Sequence, residues 1–257
     1  MGKGTWVVVG NNMTIENVEM VGAKVADRNG AALRLEGTGF TLRTSFLHDN
    51  ENGILSGANA NSDVLIENSE FGHNGYGTGQ THNLYIGTVR TLTFRYNFSH
   101  DAIVGHNLEV ARRNIILNNR FSSLAPGQTG STAAYQPSYE VDLPNAGESY
   151  LIGNVIEQQM ANQNGTLVAY GEEGASNPNH ELYVINNTFL NDDVARGTFV
   201  LVGAGVSKPI LMQNNIFSGT GALSNQVSAV AVTNYRSVAP GFVDRRYTTC
   251  VRLPIRW

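Results

Sequence analysis

Charge is what this chain has least of. Only 15% of its 257 residues are Asp, Glu, Lys or Arg, where an ordinary soluble domain carries about 25%. The shortage argues against charged surface helices and coiled coils. Combined with 41% hydrophobic residues, it also argues against disorder, which needs the opposite balance. Lysine is almost missing. Lys3, Lys24 and Lys208 are the only three, the 14 Arg are scattered, and the net charge is -4, so no basic stripe invites nucleic acid. A single cysteine, Cys250, excludes a disulfide framework and a thiolate metal site. No run of about 20 apolar residues reads as a membrane-spanning helix. Met1 to Val9 lacks the cationic start and cleavable apolar run of a signal peptide.

Asn and Gly are abundant instead, with 29 and 28 copies. They are distributed in a repeat. The segments 13–20 (MTIENVEM), 41–46 (TLRTSF), 65–71 (LIENSEF), 93–98 (TFRYNF), 116–121 (ILNNRF), 151–156 (LIGNVI), 183–189 (YVINNTF) and 211–217 (LMQNNIF) share one design. Each is an apolar strand, a polar pair rich in Asn, and a large closing residue. Those closing residues are Met20, Phe46, Phe71, Phe98, Phe121, Ile156, Phe189 and Phe217. A second series of short β-type runs falls between them, among them 83–87 (NLYIG), 107–111 (NLEVA), 139–143 (YEVDL) and 167–171 (LVAYG). No segment sustains helical periodicity for three turns. A recurring unit of about 25 residues with two or three short strands is the signature of a coiled solenoid. The expected fold is all-β, a single parallel β-helix of about eight coils over residues 1–242. Stacked coils would place Phe46, Phe71, Phe98 and Phe121 in an internal column. Thr44, Ser69, Asn119, Asn154, Asn187 and Asn215 would form a hydrogen-bonded second column at a bend. Residues 243–257 depart from the pattern, with four Arg and the lone Cys. They read as a cap, an exposed tail or a stretch foreign to the repeat.

Over roughly residues 6 to 240 the repeat resembles the right-handed parallel β-helix superfamily. Pectate lyases, alginate lyases and epimerases, polygalacturonases and pectin esterases belong to it. The resemblance implies an acidic polysaccharide or oligosaccharide as partner, and secretion or a periplasmic location; nucleic acid and membrane are not expected partners. No subfamily signature is intact: Gly105-His106-Asn107 and Ser99-His100-Asp101 are the nearest approaches to known motifs.

Chemistry concentrates in three units of the second strand series. If Leu84, Ile86, Leu108, Val110, Val141 and Leu143 face the core, alternation turns Tyr85, Glu109 and Asp142 outward. His82, Asn83, His106, Asn107, Tyr139 and Glu140 bound the same patch. Lyase or epimerase chemistry needs a group to neutralise a uronate carboxylate, a base to take the C5 proton and an acid. The reading assigns His106 as base, Tyr139 (or Tyr85) as acid, and Arg112 or Arg113 as carboxylate clamp. Glu109, Glu140 and Asp142 are the expected ligands of a Ca²⁺ ion. His82, Asn83, Tyr85, Asn107 and Glu172 would bind substrate, and so would Tyr135, from the insertion 122–138. A hydrolase is the alternative, either a glycosidase using paired carboxylates among Glu140, Asp142 and Glu172 or an esterase without a Gly-x-Ser-x-Gly elbow, and a non-catalytic polysaccharide-binding or structural β-helix the third. The row His48, His73 and His100 reads as a structural ladder of turn residues.

Overall fold

The computed structural model describes residues 3–110, 112–124, 137–160 and 162–242. Tyr135 and the segment 243–257 therefore lie outside the described residues. Among the described residues there is no helix, and none is long and apolar enough to cross a membrane. The strands form three parallel sheets of nine strands each, visited in the same order on every pass. This is a parallel β-helix. The first sheet includes Asn52–Ser56, Leu84–Ile86, Leu108–Val110, Val141–Leu143 and Thr166–Tyr170. The second runs from Met13–Glu16 to Val230–Val232, and the third from Glu19–Val21 to Tyr235–Ser237. Neighbouring strands in such sheets lie about 4.8 Å apart, so equal positions of successive passes sit over one another.

The bend between the second and third sheets explains much of the Asn content. The residue entering it is left-handed at Asn68, Tyr96, Asn118, Asn186 and Asn214, with φ between 52° and 58°. Asn adopts this conformation more readily than most residues. The next residue carries an amide ladder, buried through Asn97, Asn119, Asn154, Asn187 and Asn215 and ending on the partly exposed Asn234. In each step both the backbone N–H and Nδ2 donate to Oδ1 of the next rung, at 2.8–3.3 Å. Nδ2 also donates to a strand carbonyl of the preceding pass, as Asn154 does to Ile116. Ser69 and Ser45 continue the row downward through their hydroxyls.

This ladder corrects the expected columns. Ser45, not Thr44, is the rung, and Asn97 belongs to the row. The inward position of the third sheet is two residues after the rung: Leu47, Phe71, Ser99, Phe121, Ile156, Phe189 and Phe217 are in register. Phe46 and Phe98 therefore face outward, where they stack on His48 and His100 with centroids 4.0 and 4.3 Å apart. The ring missing at Ser99 is supplied by Phe94 of the second sheet, packed between Phe71 (6.1 Å) and Phe121 (5.8 Å). The remaining core is Leu, Ile and Val from all three sheets. Full burial of each such side chain contributes about 1.5–3 kcal/mol.

The first sheet differs from the other two. Its inward residues Leu84, Leu108, Val141 and Val168 are fully buried, yet the opposite face of the middle strands is also shielded, at Glu109, Asp142 and Ala169. Acids are thus held out of water next to an apolar wall.

Candidate active site on the first sheet

Strand register places Tyr85, Glu109, Asp142 and Ala169 in one row. Val141 and Leu143 lie in the core, so Asp142 between them points to the other face. Asp142 retains 4% of its surface and Glu109 9%. Asp142 Oδ1 has no hydrogen-bond partner. Burial, then the charges of Glu109, Glu173 and Glu172, raise the Asp142 carboxyl to about 8. It therefore carries a proton at neutral pH. Glu172 and Glu173 are exposed in the turn after Thr166–Tyr170. The charge of Glu173 also reaches Tyr85, and both charges reach Tyr139. Burial is the first cause of the upward shift of each phenol, so both remain hydroxyl donors.

At the entrance to these strands, His82, His106 and Tyr139 stack in a column, with centroids 4.8 and 5.0 Å apart. The imidazoles are wired to the backbone of the next pass. His106 N–H donates to His82 Nδ1 at 3.0 Å, and Tyr139 N–H donates to His106 Nδ1 at 3.1 Å. A neutral ring whose Nδ1 accepts must carry its proton on Nε2. His82 Nε2 faces Glu109 Oε2 at 3.0 Å, and His106 Nε2 faces Asp142 Oδ2 at 3.5 Å. Burial and the neighbouring His82 lower His106 to about 3. His106 is neutral at working pH but has no free lone pair. The structure therefore does not support His106 as the base. The same wiring argues against His82, His106 and Glu109 as metal ligands, although their ligand atoms lie within 4.8 Å of one another. A metal on Nε2 would require an imidazolate.

Other expected members of the patch are elsewhere. Asn83, Asn107 and Glu140 precede their strands at the bend and turn inward, each with no exposed surface. They finish a second amide ladder. Asn50 Nδ2 donates to Asn74 (3.0 Å), Asn74 to Asn83 (2.9 Å), Asn83 to Asn107 (2.8 Å), and Asn107 to Glu140 Oε2 (2.6 Å). Asn83 and Asn107 are rungs and cannot contact substrate from there. Glu140 is the acceptor on which the row ends, with its pKa raised to about 8, chiefly by burial. Without Glu140 the expected Ca²⁺ set has two acids, each facing an imidazole N–H. That falls short of the six to eight oxygens Ca²⁺ takes. Arg112 and Arg113 follow the far end of Leu108–Val110, at the corner leading to the second sheet. Arg113 Nε pairs with Glu148 Oε1 at 3.3 Å, and its guanidinium lies 5.8 Å from the Tyr150 ring. Neither Arg can clamp a carboxylate held at His106 and Tyr139, which stand at the opposite end of the strand.

A concave surface lies elsewhere, among residues that carry no catalytic motif. A groove of about 670 Å³ crosses the outer face of the second sheet, walled by Asp63, Arg90 and Arg95 with Thr41, Leu65 and Thr93 on its floor. The long strands Asn59–Glu67 and Val89–Arg95 make it. Its charges are mutually paired: Arg43 Nε and Arg95 Nε take the two oxygens of Glu67 at 2.6 and 2.7 Å, and Arg90 pairs with Asp63. At Glu67 this pairing outweighs the upward push of burial, and at Asp63 the bond to Arg90 dominates, so both carboxyls are held below the usual range. The charged groups of this groove are thus committed to one another, while the first-sheet row holds the carboxyl that keeps its proton. Comparison of the chain with protein-family models, with curated proteins and with solved structures gives no match.

Proposed function

We propose that this chain is a carbohydrate-active enzyme whose reaction runs along the outer face of the first sheet. Asp142 is the proton donor and Glu109 its carboxylate partner. One observation carries the reading: two acids in register on adjacent strands, one of which keeps its proton to about pH 8. Carboxyl pairs with divergent proton affinities are how glycosidases divide acid and base roles. Asp142 gives its proton to the glycosidic oxygen as the sugar–oxygen bond breaks. Glu109 either attacks the sugar carbon or takes a proton from the attacking water. Tyr85 and Tyr139 offer ring faces and hydroxyls to the sugar. The long repeat surface suits a chain-like substrate, in line with the resemblance to polysaccharide-active β-helices. An extracellular or periplasmic place of work goes with that reading.

The field of Glu109, Glu172 and Glu173 favours a neutral glycan over a polyanion. Elimination or epimerisation on a uronan is the second reading. It is supported by the same protonated Asp142, which would hydrogen-bond a uronate carboxylate while Glu109 takes the C5 proton and the Tyr139 hydroxyl protonates O4 as the C4–O4 bond breaks, or C5 from the opposite face in epimerisation. A panel of neutral glycans and uronans, assayed with and without chelator, separates the readings. Reducing ends without ultraviolet-absorbing product, unaffected by chelator and abolished in Asp142→Asn and Glu109→Gln, are expected. Unsaturated product would move the assignment to the second reading. Binding without turnover on every substrate would make the solenoid a carbohydrate-binding module, and full activity in both variants would remove this row from catalysis.

A further inference from the structure

We propose that the turns after Glu70–Gly72 and Phe98–His100, on the third sheet, form a binding site for a divalent transition cation, with Zn²⁺ the ion its donors suit best. The ligands are His73, His100 and Asp101, whose donor atoms all lie within 4.8 Å of one another. His100 Nδ1 is 3.0 Å from Asp101 Oδ2, and His73 Nε2 is 3.9 Å from the same oxygen. A tetrahedral ion with bonds of about 2.0–2.1 Å needs donors a little over 3 Å apart, so small side-chain rotations close the set.

Three features distinguish this cluster from His82, His106 and Glu109. First, the His100 ring nitrogens face carboxylates rather than backbone N–H groups: Nε2 faces Glu70 Oε1 at 3.3 Å and Nδ1 faces Asp101 Oδ2 at 3.0 Å. A carboxylate on Nε2–H is the arrangement common behind metal-bound imidazoles, and an ion at Nδ1 would replace the proton that this nitrogen shares with Asp101. Second, Leu124 N–H donates to Asp101 Oδ1 at 3.2 Å, which holds that carboxylate with Oδ2 turned to both rings. Third, a built Cβ on Gly72 would stand 2.7 Å from His100 Cε1 and Nε2. The bare glycine is what lets the ring lie across to Glu70.

The repeat supplies an internal contrast. His48 is gripped in the same way, by Asp49 at Nδ1 (2.6 Å) and Glu19 at Nε2 (3.0 Å). The position equivalent to His73 is there Gly22, one residue beyond Val21, which pairs with His48. The carboxylate grip is therefore complete without a second imidazole, and His73 is an addition to it. His100 and Asp101 are buried, while the His73 side chain keeps 23% of its surface. That leaves one open side for entry of the ion and for a water ligand.

The test is titration of the full chain with ZnCl₂ by calorimetry, with Co²⁺ as a spectroscopic substitute. One equivalent is expected, with tetrahedral Co²⁺ ligand-field bands. His73→Ala and His100→Ala should each weaken binding by at least about 100-fold, and Glu70→Ala by about 10–100-fold. Circular dichroism checks that each variant is folded, and the partly exposed His73 is the least disruptive of the three. His82→Ala should leave the affinity unchanged. Absence of binding, or unchanged affinity in folded His73→Ala, overturns the site. Loss confined to His82→Ala would place the ion on the first sheet instead. None of these readouts depends on turnover.

Discussion

Tyr139 donates its backbone N–H to Nδ1 of His106 at 3.1 Å. One peptide group thereby decides which nitrogen of a neighbouring imidazole bears the proton. The Nε2–H tautomer of both His82 and His106 is the expected result of nitrogen-detected NMR. His106 should remain neutral down to about pH 4, because its pKa is lowered to about 3. Titration of His106 near pH 6.5, or an Nδ1–H signal, would contradict the wiring.

Asp142→Asn removes a proton donor but little folding energy. The wild-type carboxyl is neutral at pH 7, and the amide is close to it in shape. Turnover is expected to fall at least about 100-fold, as for loss of a general acid, while the melting temperature holds or rises. The wild-type rate should decline above about pH 8, where the donor loses its proton. A large loss of stability in Asp142→Asn would show instead that Asp142 has a packing role.

Glu140 tests the linkage between protonation and stability. Its pKa is about 8 when folded against an ordinary 4.5. Between those values the unfolded chain binds fewer protons than the folded one. Glu140 therefore lowers stability progressively as pH rises through that window. Glu140→Gln still accepts from Asn107 and carries no charge. It should be more stable than the parent by a few kcal/mol at pH 8 and nearly equal at pH 4, measured by urea unfolding. A difference independent of pH would refute the shift.

Asn154→Ala breaks the long ladder at its middle. It leaves the Asn119 N–H and the Ile116 carbonyl buried without the partner that served them. At about 1–3 kcal/mol for each unsatisfied group, a loss of about 2–6 kcal/mol is expected by chemical denaturation. A loss below about 1 kcal/mol would mean that water takes the place of the amide.

The fold is legible in the sequence because one bend, copied on each pass, demands the same two residues. One is tolerant of left-handed backbone, and the next carries a buried amide. Counting from the closing Phe misplaces Phe46 and Phe98, since a ring is equally at home inside the core and stacked on His48 or His100. The rungs Ser45 and Asn97 would have set the phase. Within strands, alternation suffices to turn Asp142 away from Val141 and Leu143. It fails one residue before the strand, where the chain is still bending, so Asn83, Asn107 and Glu140 go inward. Arg112 is close to Glu109 along the chain, but a corner intervenes. Asp142 holds its proton chiefly through burial and the charge of Glu109, and further through Glu173 and Glu172, which arrive from the next pass and have no local motif.

The amide ladders also give the solenoid a direction. From Asn97 to Asn234 each carboxamide donates toward the later pass and accepts from the earlier one. The row is a chain of aligned dipoles, with acceptor character at its early end and donor character at its late end. The two ends of the stack are therefore chemically unlike, independently of the side chains that cover them. A contact between copies that continued the ladder would have to run head to tail, the heterologous geometry that builds filaments rather than closed pairs.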